Sequence, residues 1–195
     1  MASIFDSLKI KNIELRNRIV LPPLVRFSIV GLDGYVTDEL VDWYEDVLRG
    51  GVGFVIVEAT AVSEDGKLRE NQLGIWNDSF ISGLKRIADK CHEYNVPVLI
   101  QIHHAGFKEG IKDVDKSILD EILEKFKSAF KRAKLAGFDG IEIHGAHTYL
   151  ISQLNSRLWN TRDDEYGGSF EKRMYFSRRL IEETRELFDD NFILG

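Results

Sequence analysis

The sequence predicts an α/β fold of parallel strands, organised as a (β/α)8 barrel of which about four βα units and the start of a fifth strand are present. Three observations carry this reading. Strand-like and helix-like segments alternate strictly, with strands beginning near residues 19, 52, 96, 140 and 192. The strands RIVLPPL, VGFVIV and VPVLIQI are almost continuously apolar, as strands covered on both faces are. Polar side chains capable of chemistry gather after the second, third and fourth strands, where a barrel's C-terminal face collects them. No glycine-rich fingerprint follows the first strand, where a doubly wound dinucleotide-binding sheet would carry one. Residues 1–195 read as a single domain, one half of a barrel.

Taken in order, the N-terminal MASIFDSLKIKNIELRNRIV reads as the first strands rather than a secretory leader. Ile4 to Arg18 alternates around Lys11-Asn12 as a hairpin at the base of the domain. Pro22 and Pro23 end the next strand by removing two backbone donors. Thr37 or Asp38 is expected to cap a helix carrying Leu40, Trp43, Tyr44, Val47 and Leu48, stopped at Gly50-Gly51. Asp78 is expected to cap the next helix, with Phe80, Leu84, Ile87, Ala88 and Cys91 on one side. Ser117 with Asp120 offers a capping box for a third, whose stripe is Ile118, Ile122, Phe126, Phe130 and Ala133. The segment from Tyr149 to Gly168 reads as a polar, aromatic-bearing loop. Ser169 then caps a helix running to about Phe188.

Composition narrows the functional classes. A net charge of −6 argues against a general nucleic-acid surface, and Lys125 to Lys134 alternates with Phe and Ala as the solvated face of a helix. No apolar run approaches the ~20 residues that span a bilayer. The single cysteine, Cys91, falls on an apolar helix face, which excludes a disulfide framework and fits the reducing cytoplasm. The expected partner is a small molecule, with neither nucleic acid nor membrane.

The chemistry concentrates at strand ends. Four of the five histidines, His103, His104, His144 and His147, follow the third and fourth strands, while His92 lies on a helix and reads as structural. Two imidazoles and the phenol of Tyr149 in quick succession can polarise a carbonyl and deliver a proton. Gln101, pointing toward the same face, offers a donor and an acceptor to a flat heterocycle. A metal-dependent barrel hydrolase is the competing enzyme class, since imidazole is the commonest metal ligand. Against it, no further spaced cluster completes a metal site, and none is assigned.

The stretches NRIVLPPL, GGVGFVIVEATAV, LGIWND, VLIQIHHAG, AGFDGIEIHGAHTYLISQL and NTRDDEYGGSFEKRMYF together span nearly the whole chain. In them the chain resembles the N-terminal half of the old yellow enzyme family of FMN-dependent ene-reductases, in its bacterial NADPH dehydrogenase-like branch. The resemblance implies FMN across the C-terminal mouth, contacted by Pro23, Ala59 and Gln101, with Val25 at the flavin edge and Phe27 lining the substrate pocket. It implies NADPH or NADH as reductant, His144 and His147 on the substrate's carbonyl oxygen, and Tyr149 as proton donor to an activated alkene. Val25 stands where the family usually has Cys or Thr, and Phe27 where this branch often has tyrosine. The loop from Phe107 to Lys116 is shorter than the family's usual excursion. The family's flavin-contacting arginine and phosphate loops would follow Gly195, so weak or no FMN binding is expected unless something completes the barrel. A complementing half-barrel or a homo-oligomer would do so; the alternative is an inactive half-barrel module without cofactor.

Overall fold

The computed structural model describes residues 3–195; Met1 and Ala2, the first residues of the expected N-terminal strands, lie outside it. A two-stranded antiparallel hairpin comes first, β1 (Leu8–Ile10) with β2 (Ile13–Leu15), paired Leu8 to Leu15 and Ile10 to Ile13. Its turn holds Lys11 at φ +52°. Five parallel strands follow in the spatial order of the chain: β3 (Val20–Leu21), β4 (Phe54–Ala61), β5 (Val98–His103), β6 (Gly140–Ile143) and β7 (Ile193–Leu194). Each lies within about two residues of its expected start. Sequential neighbours joined by crossover helices are what an arc of a barrel requires, and a doubly wound sheet would reverse its strand order.

The helices are α1 (Asp38–Arg49), α2 (Ile81–Glu93), α3 (Lys116–Leu135), α4 (Leu150–Asn155), α5 (Phe170–Arg173) and α6 (Tyr175–Thr184). Thr37 caps α1 as expected, its side chain accepting from the Leu40 N–H. Two other caps move. Asn77, not Asp78, takes the Ser79 N–H ahead of α2, and Asp78 instead accepts from Arg132. Asp115, not Ser117, caps α3, and Asp120 accepts from the Tyr166 hydroxyl and from Arg179. The α3 stripe is one residue out at its start: Leu119 is buried whereas Ile118 is exposed. Ser169 caps as expected, but the helix is broken between Arg173 and Tyr175.

Two cores sandwich the sheet. The larger packs α1, α2, α3 and α6 against outward residues such as Val55, Val57, Ile100 and Ile141. The smaller lies under the arc, where Ile13 and Leu15 of the hairpin meet Phe54, Leu99 and Ile193. Cys91 is buried, and that burial pushes its thiol up to about 12. His92 donates its Nε2–H to Asp139 Oδ2 at 2.9 Å on the surface, away from the strand ends. β6 and β7 approach so closely that only glycine fits at residue 140, where a Cβ would stand 2.2 Å from the Ile193 carbonyl oxygen.

Candidate active site

Inward parity along β5 runs Leu99, Gln101, His103, and the register sets Gln101 opposite Glu142 of β6. Gln101 donates its Nε2 to Glu142 Oε1 at 2.5 Å, which leaves Gln101 Oε1 as an acceptor. One step beyond β6, His144 keeps the inward parity and is tied by its N–H to the Ile102 carbonyl at 3.0 Å. His147 and Thr148 then both adopt φ +56°, a left-handed pair that turns the chain back on itself. Tyr149 stands at the N-terminus of α4, a short helix where an irregular loop was expected.

That turn folds His147 onto His144 and fixes both tautomers. The Ala146 N–H donates to His144 Nδ1 at 3.2 Å, so the proton of a neutral His144 is on Nε2. His144 Nε2 lies 3.2 Å from His147 Nδ1, which must therefore accept, leaving His147 with its N–H on Nε2. Burial and the neighbouring His147 hold His144 below its ordinary value, which favours this neutral state. The Tyr149 ring lies with its centroid 4.7 Å from that of His144 and 5.9 Å from that of His147. In this arrangement one imidazole N–H, that of His147, is free for a ligand. Both can reach one oxygen only if the bond between them opens.

Pro23, Val25, Phe27, Ala59 and Gln101 line one cavity of about 320 Å³ together with His144, His147 and Tyr149. Four strand ends thus converge on one space. The sequence reading missed Leu68 and Gln72, which wall the same cavity from the loop after β4. It also missed Glu58, fully buried beside Ala59. The β4–β5 register shifts between Val57 and Thr60, and Glu58 Oε2 accepts from the Arg26 N–H at 3.0 Å, pinning the segment that carries Val25 and Phe27. Burial pushes the Glu58 carboxyl up to about 7, against the Arg26 N–H and charge, which favour ionisation.

The four histidines do not act as one group. His103 is fully buried behind the triplet and pushed down to about 3 by burial and by His144 and His104. His104 leaves the site: its Nδ1 accepts from the Gly106 N–H, and burial pushes it down to about 4. Period-two alternation separates these neighbours, and their adjacency in sequence hid it. A larger cavity of about 560 Å³ lies between Ser63, Asp65, Trp76 and Lys125 but contains none of the triplet. The convergence of chemistry, not size, locates the site. Among the described residues, no group of three or more His, Cys, Asp or Glu side chains is placed to hold a metal ion. No helix among them is long and apolar enough to cross a membrane.

A parallel barrel arc thus brings a histidine pair and a tyrosine to one mostly apolar cavity. Comparison with known proteins gives the family. The model of the NADH:flavin oxidoreductase / NADH oxidase family matches residues 3–118 and 108–194, and the chain belongs to that family. It is 40% identical over 205 positions to an NADPH dehydrogenase of Clostridium acetobutylicum, covering 95% of this chain and 60% of that protein. To an NADPH dehydrogenase of Listeria monocytogenes it is 38% identical over 213 positions, covering 100% of this chain and 63% of the relative. Among solved structures, Old Yellow Enzyme from a Pichia species superposes with a TM-score of 0.90 at 25% identity, over 98% of this chain and 58% of that one. Morphinone reductase superposes with a TM-score of 0.86 at 24% identity, over 98% and 61%.

The chain therefore spans roughly three-fifths of the length of these relatives. The Listeria alignment needs 213 positions for 195 residues, so about 18 positions of that relative have no counterpart here. The two stretches of the family match meet at residues 108–118, in the loop where the chain was expected to be short.

Proposed function

We propose that this chain forms the ring-binding and substrate-binding half of an FMN-dependent oxidoreductase that reduces an activated, α,β-unsaturated carbonyl-type alkene at the expense of NADPH or NADH. The observation that carries the reading is the convergence of His144, His147 and Tyr149 with Pro23, Val25, Ala59 and Gln101 on one cavity. The residues present fit an isoalloxazine ring. Ala59 and Pro23 offer flat apolar contact, and Gln101 Oε1, freed by the bond to Glu142, is an acceptor for a ring N–H. Among the described residues no lysine or arginine lines that cavity, so the fit extends to the ring and not to a phosphate.

Bound and reduced, FMN would supply the hydride that the β-carbon of the alkene receives. The chain's own residues do the rest. His147 presents its Nε2–H to the carbonyl oxygen, and His144 adds a second donor once its bond to His147 opens. Donors of this kind stabilise the developing enolate, each contributing about 10²–10³ in rate. Tyr149 delivers its phenolic proton to the α-carbon, the strongly basic position for which a weak acid is suited. Phe27 and Leu68 add apolar walls to the cavity.

Among the described residues β3 and β7 each pair on one side only, leaving both sheet edges open to further strands; a complementing half-barrel or a second copy is the structural partner we propose for them. A lone buried cysteine supports a cytoplasmic setting. The test is a visible spectrum of the purified chain with FMN, followed by enone reduction. A retained flavin band with turnover that collapses in Tyr149→Phe supports the reading. Full turnover in that variant refutes Tyr149 as the proton donor. A chain that never retains flavin, alone or with a complementing half, refutes the cofactor site.

A further inference from the structure

We propose that Gln72 is a positioning residue for the His144–Tyr149 cluster, acting by fixing His103 in the tautomer that carries its proton on Nδ1. Gln72 lies in the loop between β4 and α2, and its side chain is fully buried. Its Oε1 accepts from the Leu68 N–H at 2.6 Å, and its Nε2 donates to the Ala59 carbonyl at 2.8 Å. The same Nε2 lies 2.9 Å from His103 Nε2.

The two ends of a glutamine amide are normally told apart only by their partners. Here the partners decide. Leu68 offers an N–H that can only donate, and Ala59 offers a carbonyl that can only accept. The nitrogen of Gln72 therefore faces both Ala59 and His103, with one proton for each. His103 Nε2 must accept, and a neutral imidazole that accepts at Nε2 carries its proton on Nδ1. That Nδ1 is buried and has no protein partner among the described residues. Protonating the ring would set an N–H against the Gln72 N–H, so burial and the amide together keep His103 neutral.

The consequence reaches the site through ring packing. The His103 ring meets that of Tyr149 edge-on, with centroids 5.0 Å apart at 65°, and lies 5.8 Å from that of His144. Such edge contacts are orientation-dependent. A ring whose flip state and charge are fixed holds the phenol in one pose and adds no positive charge behind it. One amide thus ties the 62–76 loop, the Ala59 wall and the imidazole behind the phenol into a single bracket. A family-independent signal supports it: Gln72 is a fully buried polar side chain with each of its amide protons and its oxygen assigned.

The functional meaning rests on Tyr149 as proton donor, but the test needs no turnover. Multiple-bond ¹⁵N–¹H spectra of the ¹⁵N-labelled full chain report imidazole tautomers, with His103 assigned by its loss in His103→Phe. The expected wild-type pattern is Nδ1–H, unchanged between about pH 5 and 8. Gln72→Leu should lose that single-tautomer pattern and shift the Tyr149 ring resonances. Gln72→Glu places an acceptor against the ring and should convert His103 to Nε2–H. A loop staple with no further role would disturb the Leu68 and Ala59 amides while leaving the tautomer and Tyr149 unmoved, and that result overturns the proposal. So does an Nε2–H pattern in the wild-type chain, which decides the matter even if neither variant folds. Unimpaired turnover in Tyr149→Phe would count against the proton-donor reading alone, leaving these spectra as they are.

Discussion

Replacing Glu58 by glutamine should make the protein more stable above neutral pH, although it removes a buried charge that holds a cavity wall in place. The carboxyl is fully buried, with Oε2 accepting from the Arg26 N–H and Oε1 without a partner among the described residues. Burial moves it from an ordinary 4.5 to about 7, the Arg26 N–H and charge only partly offsetting the loss of water. A raised folded-state pKa means the folded chain holds this proton more tightly than the unfolded one between those values. The associated stability is fully present below about 4.5 and is lost as pH rises through 7. The shift corresponds to roughly 3 kcal/mol at about pH 8.

Glutamine keeps an oxygen for the Arg26 N–H and carries no charge, so Glu58→Gln should recover much of that loss at high pH and little near about pH 5. The assay is urea unfolding of both proteins across this range, read as the difference between them. The difference cancels groups common to both, notably His103 and His104, whose lowered pKa values make stability fall as pH drops. A difference that does not grow with pH would refute the reasoning. So would a variant less stable than wild type at about pH 8, which would mean that the charge pairing with Arg26 outweighs desolvation.

Four further outcomes follow from the geometry. Tyr149→Phe should lower enone reduction by about 10²–10⁴-fold with flavin binding unchanged, read by single-turnover kinetics. Thr148→Gly should raise the urea midpoint by the equivalent of about 1 kcal/mol, because a β-branched residue at φ +56° is strained; a lower midpoint would show that the Thr148 hydroxyl bond to the His147 carbonyl outweighs the strain. Arg162→Lys should cost about 2–3 kcal/mol in the same assay. The guanidinium donates to the carbonyls of Ile111 and Val114 at 2.6 Å each while gripping Asp164, and an ammonium cannot span that set. Gly140→Ala should undock β7, seen as fast amide exchange at Ile193 and Gly195 against slow exchange in the wild-type chain.

How far the sequence reached follows from what is local in it. Strand positions were legible because apolar runs such as VPVLIQI need no partner to be recognised, and the α1 stripe because 3.6-residue spacing is a property of the segment itself. Caps failed by one or two residues where neighbours share the same chemistry: Asn77 beside Asp78, Asp115 beside Ser117. Helix α4 went unread because six residues carry less than two turns of periodicity. Pro23, Ala59, Gln101 and the triplet were brought to one cavity through a resemblance as well as parity. The bracket at Gln72 was out of reach, since its partners stand 13 and 31 residues away and each bond is decided by how loops pack.

The hairpin at the base does more than fill the floor of the arc. Arg16 donates to the Val52 carbonyl and Asn17 to the Gly51 carbonyl, at the entry to β4. Asn12 donates its N–H to the Asp190 carbonyl and Lys11 its ammonium to the Asp189 carbonyl, just ahead of β7. One small ribbon and the two residues after it therefore grip the roots of β4 and of the edge strand β7, like a bowstring across a bow. A parallel sheet left to itself can twist open, but here its span is set from below before any further strand arrives. Any strand that joins this sheet would meet neighbours whose roots are already tied together.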